Sequence, residues 1–177
     1  MEKKYKLTEE TIIVEDKTLY RIESLKDFSD VKSGDRGGFI ENEDNLSHFG
    51  DCWVYGNAIV RGNAKIYDSA KVYGDAKVYG NAKVSDNALV YGNAIVCGST
   101  KVYGNAQIYN YAVVYGNAEV YGDTEICDNT IVRGNAIICG NAKICGYTVV
   151  SGNAKVRANV MIRGNTQICG DTVICDN

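Results

Sequence analysis

A six-residue unit repeats without insertion over the 126 residues from Asp51 to Asp176, which makes 21 consecutive hexads. One position is Val or Ile in every hexad, from Val54 to Ile174. The position two residues earlier is small, usually Ala and sometimes Thr. A fixed period of this kind restricts the fold before any single element is assigned.

Each hexad predicts a short strand followed by a corner. The small and aliphatic positions alternate with variable ones, which is typical of a four-residue strand with one buried face. A pair such as Gly56-Asn57 follows, and Gly, Asn and Asp tolerate the positive φ of a sharp corner. One such unit cannot bury its apolar edge alone, so the strands must stack into a coil. Three hexads per circuit give 18 residues per coil and seven coils.

The pattern resembles that of the hexapeptide-repeat proteins, whose fold is a left-handed parallel β-helix. The resemblance covers residues 51–177, and it alone implies the left hand. The segment SLKDFSDVKSGDRGGFIENEDNLSHFGDCWVYGNA also resembles the front of bacterial and phage-borne members of that family. Those members are often described as transferases from their fold, and the resemblance brings no known active-site residues with it. We therefore expect an all-β, left-handed parallel β-helix.

The first fifty residues predict a cap on this solenoid. The stretch around Glu15-Asp16-Lys17 is typical of a hairpin turn between two strands, and a Gly-rich loop follows. Residues 45–50 are in register with the repeat but lack its aliphatic residue. We assign residues 1–50 to the cap and 51–177 to the solenoid. At the other end, the last coil is expected either to dock on another copy or to expose a polar rim that tolerates water.

Composition limits the partners and the location. The net charge of −3 argues against a mainly electrostatic nucleic-acid binder. The sequence has no apolar run of about 18 residues and no secretory signal, so a cytoplasmic protein without membrane partners is expected. The odd cysteine count favours free thiols. A disulfide between Cys127 and Cys145 is sterically conceivable, because the two would lie in adjacent coils. No cofactor and no metal site are predicted.

The 18-residue period sorts the outward side chains onto three walls. Wall A carries Ile59, Lys77, Ile95, Val113, Ile131, Val149 and Gln167; wall B carries Lys65, Lys83, Lys101, Glu119, Ile137, Lys155 and Val173; wall C carries Trp53, Lys71, Leu89, Gln107, Glu125, Lys143 and Met161. Wall A alone has four apolar residues in succession, here named the apolar stripe: Ile95, Val113, Ile131 and Val149. Such a stripe indicates an interface. Since the family forms trimers of parallel prisms, the resemblance implies a homotrimer; outward Val and Ile that simply favour strand geometry are the alternative.

A second outward ladder is aromatic. The residues spaced by 18 are Tyr55, Tyr73, Tyr91 and Tyr109, here named the tyrosine ladder, with Trp53 and Leu89 beside them. These side chains either pack on one another or form a platform for sugar rings or nucleobases.

Catalytic residues are sparse. Acyltransferases of the family use a histidine as general base and bind coenzyme A or an acyl carrier between subunits. This chain has one histidine, His48, and its 21 hexads carry no inserted loop to cover a site. The sequence therefore favours a non-catalytic scaffold that presents surfaces to a protein or a small ligand, in a phage or prophage setting. An acyltransferase with an inter-subunit site and His48 as base is the alternative.

Overall fold

The computed structural model describes residues 2–176, which fold almost wholly into β-structure. Strands β1 (Tyr5–Val14), β2 (Lys17–Ser24) and β3 (Arg36–Ile40) are followed by one 3-10 turn, Glu43–Asn45. The repeat then supplies 21 strands of two residues each: β4 (Trp53–Val54), β5 (Ile59–Val60), β6 (Lys65–Ile66), β7 (Lys71–Val72), β8 (Lys77–Val78), β9 (Lys83–Val84), β10 (Leu89–Val90), β11 (Ile95–Val96), β12 (Lys101–Val102), β13 (Gln107–Ile108), β14 (Val113–Val114), β15 (Glu119–Val120), β16 (Glu125–Ile126), β17 (Ile131–Val132), β18 (Ile137–Ile138), β19 (Lys143–Ile144), β20 (Val149–Val150), β21 (Lys155–Val156), β22 (Met161–Ile162), β23 (Gln167–Ile168) and β24 (Val173–Ile174).

Every third strand lies on the same wall, and the strands of each wall pair in parallel. Wall A runs from β3 through β5, β8, β11, β14, β17, β20 and β23; wall B runs from β6 to β24 and wall C from β4 to β22. Ile95 pairs with Lys77 on one side and with Val113 on the other. The predicted circuit of 18 residues and the β-solenoid are therefore confirmed. The strands are shorter than the predicted four residues, because the flanking residues already belong to the corners.

The interior is apolar and regular. The aliphatic and small positions of the hexads are fully buried from Val54 to Val156. Inward threonines replace alanine in some hexads, and their hydroxyls bond to backbone: Thr148 Oγ1 donates to the carbonyl of Cys145 at 2.9 Å. The stacked walls share one core, so each coil is stabilised mainly by the coils before and after it.

Glycine at the corners allows the coils to stack closely. Gly98 has φ +72°, and a Cβ there would lie 2.7 Å from the carbonyl oxygen of Gly116 in the next coil. Both the backbone angle and the limited space therefore disfavour a side chain at this corner.

The cap begins with the predicted hairpin. β1 and β2 pair antiparallel, and Glu15 and Asp16 at their turn both have positive φ. β2 then pairs antiparallel with β3, and β3 pairs in parallel with β5. The cap thus joins wall A through backbone hydrogen bonds and covers the first coil.

The cap also adds an eighth, partial turn to the seven predicted coils. Leu46 forms a parallel bridge with Ile66 on wall B, and Ile40 pairs with Val60 on wall A. Each of these pairs is separated by 20 residues rather than 18. The start of residues 45–50 is therefore not in register with the repeat: Leu46 takes the aliphatic position, and the two additional residues lie between Leu46 and Val54, after the 3-10 turn. The left hand of the coil stays a prediction.

Candidate functional site

A groove lies where the cap loop meets wall C. It has a volume of about 760 Å³ and runs past the first two residues of the tyrosine ladder. Its lining combines charged, polar and apolar side chains: Ser29, Asp30, Asp51, Tyr55, Ser69, Lys71, Tyr73, Asn87 and Leu89. Two parts of the chain that are distant in sequence, the cap loop and the first three coils, therefore share one concave surface.

Asp30 from the cap loop fixes one side of this groove. Its carboxylate accepts a hydrogen bond from Tyr55 Oη at 2.9 Å and forms an ion pair with Lys71. The hydrogen bond from Lys71, with a smaller contribution from Tyr55, lowers the pKa of the Asp30 carboxyl to about 2. Burial, together with the adjacent Asp30, raises the pKa of Tyr55. At neutral pH the groove wall therefore contains a charged carboxylate that is already paired.

The tyrosine ladder stacks on itself. Tyr73 and Tyr91 have ring centroids 4.8 Å apart and nearly parallel planes, and Tyr91 and Tyr109 are stacked at 4.9 Å. Tyr55 is turned edge-on to Tyr73, with its hydroxyl directed to Asp30. Neighbouring rings thus cover one another's faces within the ladder. The ladder therefore presents ring edges and hydroxyls to solvent rather than open faces. Tyr109 Oη donates to Glu125 at 3.0 Å at the far end.

Trp53 is not part of an exposed platform, which corrects the sequence prediction. It is 1% exposed, because the cap folds over it. Tyr5 and Phe28 pack edge-on against its ring at centroid distances of 6.1 and 5.4 Å. Position 53 faces outward on wall C, but the sequence pattern could not show that the cap would fold over this outward side chain.

The four residues of the apolar stripe lie in line on wall A. Ile95 pairs with Val113, Val113 with Ile131 and Ile131 with Val149, and all four side chains are partly exposed. Two exposed tyrosines stand at the adjoining corner, two residues before the stripe: Tyr111 at 62% and Tyr147 at 67% exposure. Sequence analysis missed these tyrosines, although both replace the usual Asn of the hexad.

His48 lies at the junction of cap and solenoid. Its ring stacks on Tyr5 at 4.3 Å, and Nδ1 accepts a hydrogen bond from the backbone N–H of Lys4 at 3.2 Å. Nε2 is buried and lies 3.6 Å from Glu43 Oε2, beyond hydrogen-bond distance. The stacking on Tyr5, the hydrogen bond from Lys4 and the approach of Glu43 all come from the cap, and they hold the ring between β1 and the 3-10 turn.

Lys4 is a buried cation that the sequence did not indicate. Its Nζ donates to the carbonyl of Cys52 at 2.8 Å and to that of Gly50 at 3.2 Å, and it lies 3.2 Å from Cys52 Sγ. Burial lowers the pKa of Lys4 and raises that of the Cys52 thiol. These contacts tie the start of the chain to the first coil.

The cysteines depart from the expectation of free thiols. Cys127 and Cys145, which continue the tyrosine ladder in the next two coils, are joined by a disulfide. Parallel in-register strands bring their Cα atoms to 4.8 Å, within the range that a disulfide needs. Asp128 lies beside them, and its carboxylate and the two sulfurs lie within 4.8 Å of one another. The remaining five cysteines are free.

Comparison with known proteins supports the architecture. The model of a family described as YdcK Beta solenoid repeat matches residues 82–98, nearly one circuit of the coil. A search of the curated proteins gave no match. The fold and this segment together define the chain as a β-solenoid repeat protein. Across residues 2–176, no helix has the length and apolar character that crossing a membrane requires.

Proposed function

We propose that this protein is a rigid, non-catalytic scaffold that assembles into a homotrimer through wall A and presents its cap groove to a ligand. The apolar stripe carries the proposal, because it is the one outward row on the three walls with four apolar residues in succession. A cytoplasmic location and a phage or prophage setting stay predictions from the sequence.

A second copy of the chain is the partner that fits the stripe. Another solenoid of the same sequence has the same rise per coil, so its side chains match the spacing of the stripe over its whole length. Tyr111 and Tyr147 beside the stripe supply aromatic side chains, which are enriched at interfaces and often dominate their energetics. Full burial of one Val or Ile contributes about 1.5–3 kcal/mol, and the partly buried stripe residues contribute less each. Several of them together are needed to offset the cost of association.

A pair of lysine substitutions tests the stripe. Ile131→Lys places a charge in the middle of the stripe, and we expect it to reduce the assembly to monomers in light scattering. Ile137→Lys is the matched control, because Ile137 is also a partly exposed isoleucine, and it lies on wall B between Glu119 and Lys155. A wild-type mass for Ile131→Lys contradicts a wall A interface. So does an equal loss of assembly in the two variants.

The groove under the cap is the surface proposed for a small ligand. Asp51, Ser69 and Asn87 provide acceptors and donors in its lining, while Leu89 and Tyr73 provide apolar contact. This mixture suits a polyhydroxylated ring better than a flat base, because the tyrosine faces are occupied by each other. Chemical-shift mapping with glucose, N-acetylglucosamine and adenosine tests it. Chemical-shift changes confined to the groove residues support the site. If millimolar ligand produces no changes there, the site does not bind these probes.

An acyltransferase remains the alternative, with His48 as base. Coenzyme A would have to reach the His48 ring, which is stacked on Tyr5 and faces Glu43. A thermal-shift measurement with coenzyme A separates the two functions: stabilisation that His48→Ala abolishes favours the enzyme, and an unchanged melting temperature favours the scaffold.

A further inference from the structure

We propose that Cys127, Cys145 and Asp128 form a redox-gated site for a soft divalent metal such as Zn²⁺. The site is closed while the disulfide is present and opens when the two sulfurs are reduced.

The spacing of the two cysteines suits both states. Their Cα atoms are 4.8 Å apart, because they occupy the same ladder position in consecutive coils. A tetrahedral zinc ion with Zn–S bonds of about 2.3 Å holds two thiolates about 3.8 Å apart. Rotation of the two side chains at χ1 can bring the sulfurs to this separation, while the parallel backbone stays in place. The pair is therefore a ready chelate once the disulfide is broken.

Asp128 supplies the third ligand from a fixed position. One carboxylate oxygen accepts a hydrogen bond from Asn110 Nδ2 at 3.0 Å, and the other accepts one from the backbone N–H of Gly146 at 3.1 Å. Partners of this kind orient a ligating carboxylate and strengthen its binding. Three protein ligands leave the fourth tetrahedral position open to water, and an open hollow of about 380 Å³ lies over the sulfurs.

The charges around the site balance a bound cation. Two thiolates and one carboxylate carry three negative charges against the two positive charges of the metal. Arg163 lines the same hollow and supplies the remaining positive charge. Lys143 also lines it, but its charge is matched by an ion pair with Glu125. The metal-bound state is thus close to neutral, which favours it at this partly buried corner.

The chemistry needs an external reductant. Two thiol molecules reduce the disulfide: the S–S bond breaks, the cysteines gain two electrons and two protons, and the reductant becomes a disulfide. Metal binding then displaces the two cysteine protons to solvent, and the metal keeps its oxidation state.

The other cysteines do not form such a pair. Cys139 and Cys175 share a ladder but lie two coils apart, while Cys97 and Cys169 on another ladder lie four coils apart. Cys52 is buried against Lys4. Consecutive coils therefore carry cysteines on one ladder alone.

The experiment uses the full chain with Cys97, Cys139, Cys169 and Cys175 replaced by Ser, so that only the pair and buried Cys52 remain. A phosphine, which takes up oxygen from water as it reduces the disulfide, prepares the reduced form and is then removed. Equilibrium dialysis with Zn²⁺ alone and the thiolate-to-cobalt absorption with Co²⁺ measure binding. We expect one metal per reduced chain and none per oxidised chain.

Single substitutions assign the ligands. Cys127→Ser and Cys145→Ser should each weaken binding at least about 100-fold, and Asp128→Asn about 10-fold or more. Asp123→Asn, which removes an exposed corner carboxylate in the same coil, should leave binding unchanged. Circular dichroism confirms that each variant is folded. Binding that is equal in the oxidised and reduced chains, absent from the reduced chain, or unchanged in Cys145→Ser overturns the proposal; unchanged binding in Asp128→Asn removes the carboxylate from it.

Discussion

Gly98→Ala perturbs the close stacking of coils at a single corner. A non-glycine residue in the left-handed region costs about 1–2 kcal/mol, and Gly98 has φ +72°. The added Cβ would also lie 2.7 Å from the carbonyl oxygen and 2.8 Å from the nitrogen of Gly116. Backbone shifts that relieve such overpacking cost about 1–3 kcal/mol more. We therefore expect the free energy of unfolding to fall by about 2–5 kcal/mol in total.

Gly56→Ala is the matched control for this prediction. Gly56 also has a positive φ, +59°, but the nearest atom to its added Cβ is 3.7 Å away, an ordinary contact. Only the backbone cost of about 1–2 kcal/mol should apply. Urea unfolding monitored by circular dichroism gives both free energies of unfolding, provided that the dependence on urea concentration has the same slope in the two variants. If the free energy of unfolding falls equally in the two variants, the coil-to-coil contact at Gly98 contributes nothing and the reasoning is refuted.

Two further predictions concern the cap. Trp53→Ala should lower the free energy of unfolding by about 3–5 kcal/mol, since the indole is buried under Tyr5 and Phe28; a loss below about 1 kcal/mol in urea unfolding would contradict its place in the core. Asp30, whose pKa is lowered to about 2, contributes stability above its ordinary pKa of 3.8 that is lost as the pH falls through about 2. Lys71→Met should raise the pKa of this carboxyl in an NMR titration, and an unchanged pKa would exclude Lys71 as the main cause.

The sequence determined the solenoid almost completely. A period of six with a Val or Ile in every unit leaves few ways to bury the apolar edge, so the 18-residue circuit and the three walls followed from Val54 to Ile174. Side chains that this circuit stacks, such as Tyr73 on Tyr91, could be placed from their 18-residue spacing alone. Regular repeats are predictable because every contact is local to the neighbouring coil.

The cap was predicted less well, because its contacts join residues that share no period. Nothing in the spacing showed that Phe28 would cover Trp53 or that Asp30 would reach Lys71, 41 residues away. The partial eighth turn was hidden for the same reason, since Leu46 follows a spacing of 20 rather than 18. The candidate groove depends on these irregular contacts, so only its tyrosine wall could be predicted.

The cysteine pair shows a different limit of prediction from sequence. The 18-residue period placed Cys127 and Cys145 in adjacent coils, so their proximity was predictable. The odd cysteine count favoured free thiols, and a count is only an indirect signal of the redox state. Geometry at the corner, rather than composition, brings the two sulfurs to bonding distance.

The native mass of the unmodified protein tests the central claim of self-association through wall A. The account predicts three times the chain mass of 19.3 kDa in light scattering or sedimentation, and dissociation when Ile131 is replaced by Lys. A mass of one chain over the whole concentration range, with the protein folded, would contradict it.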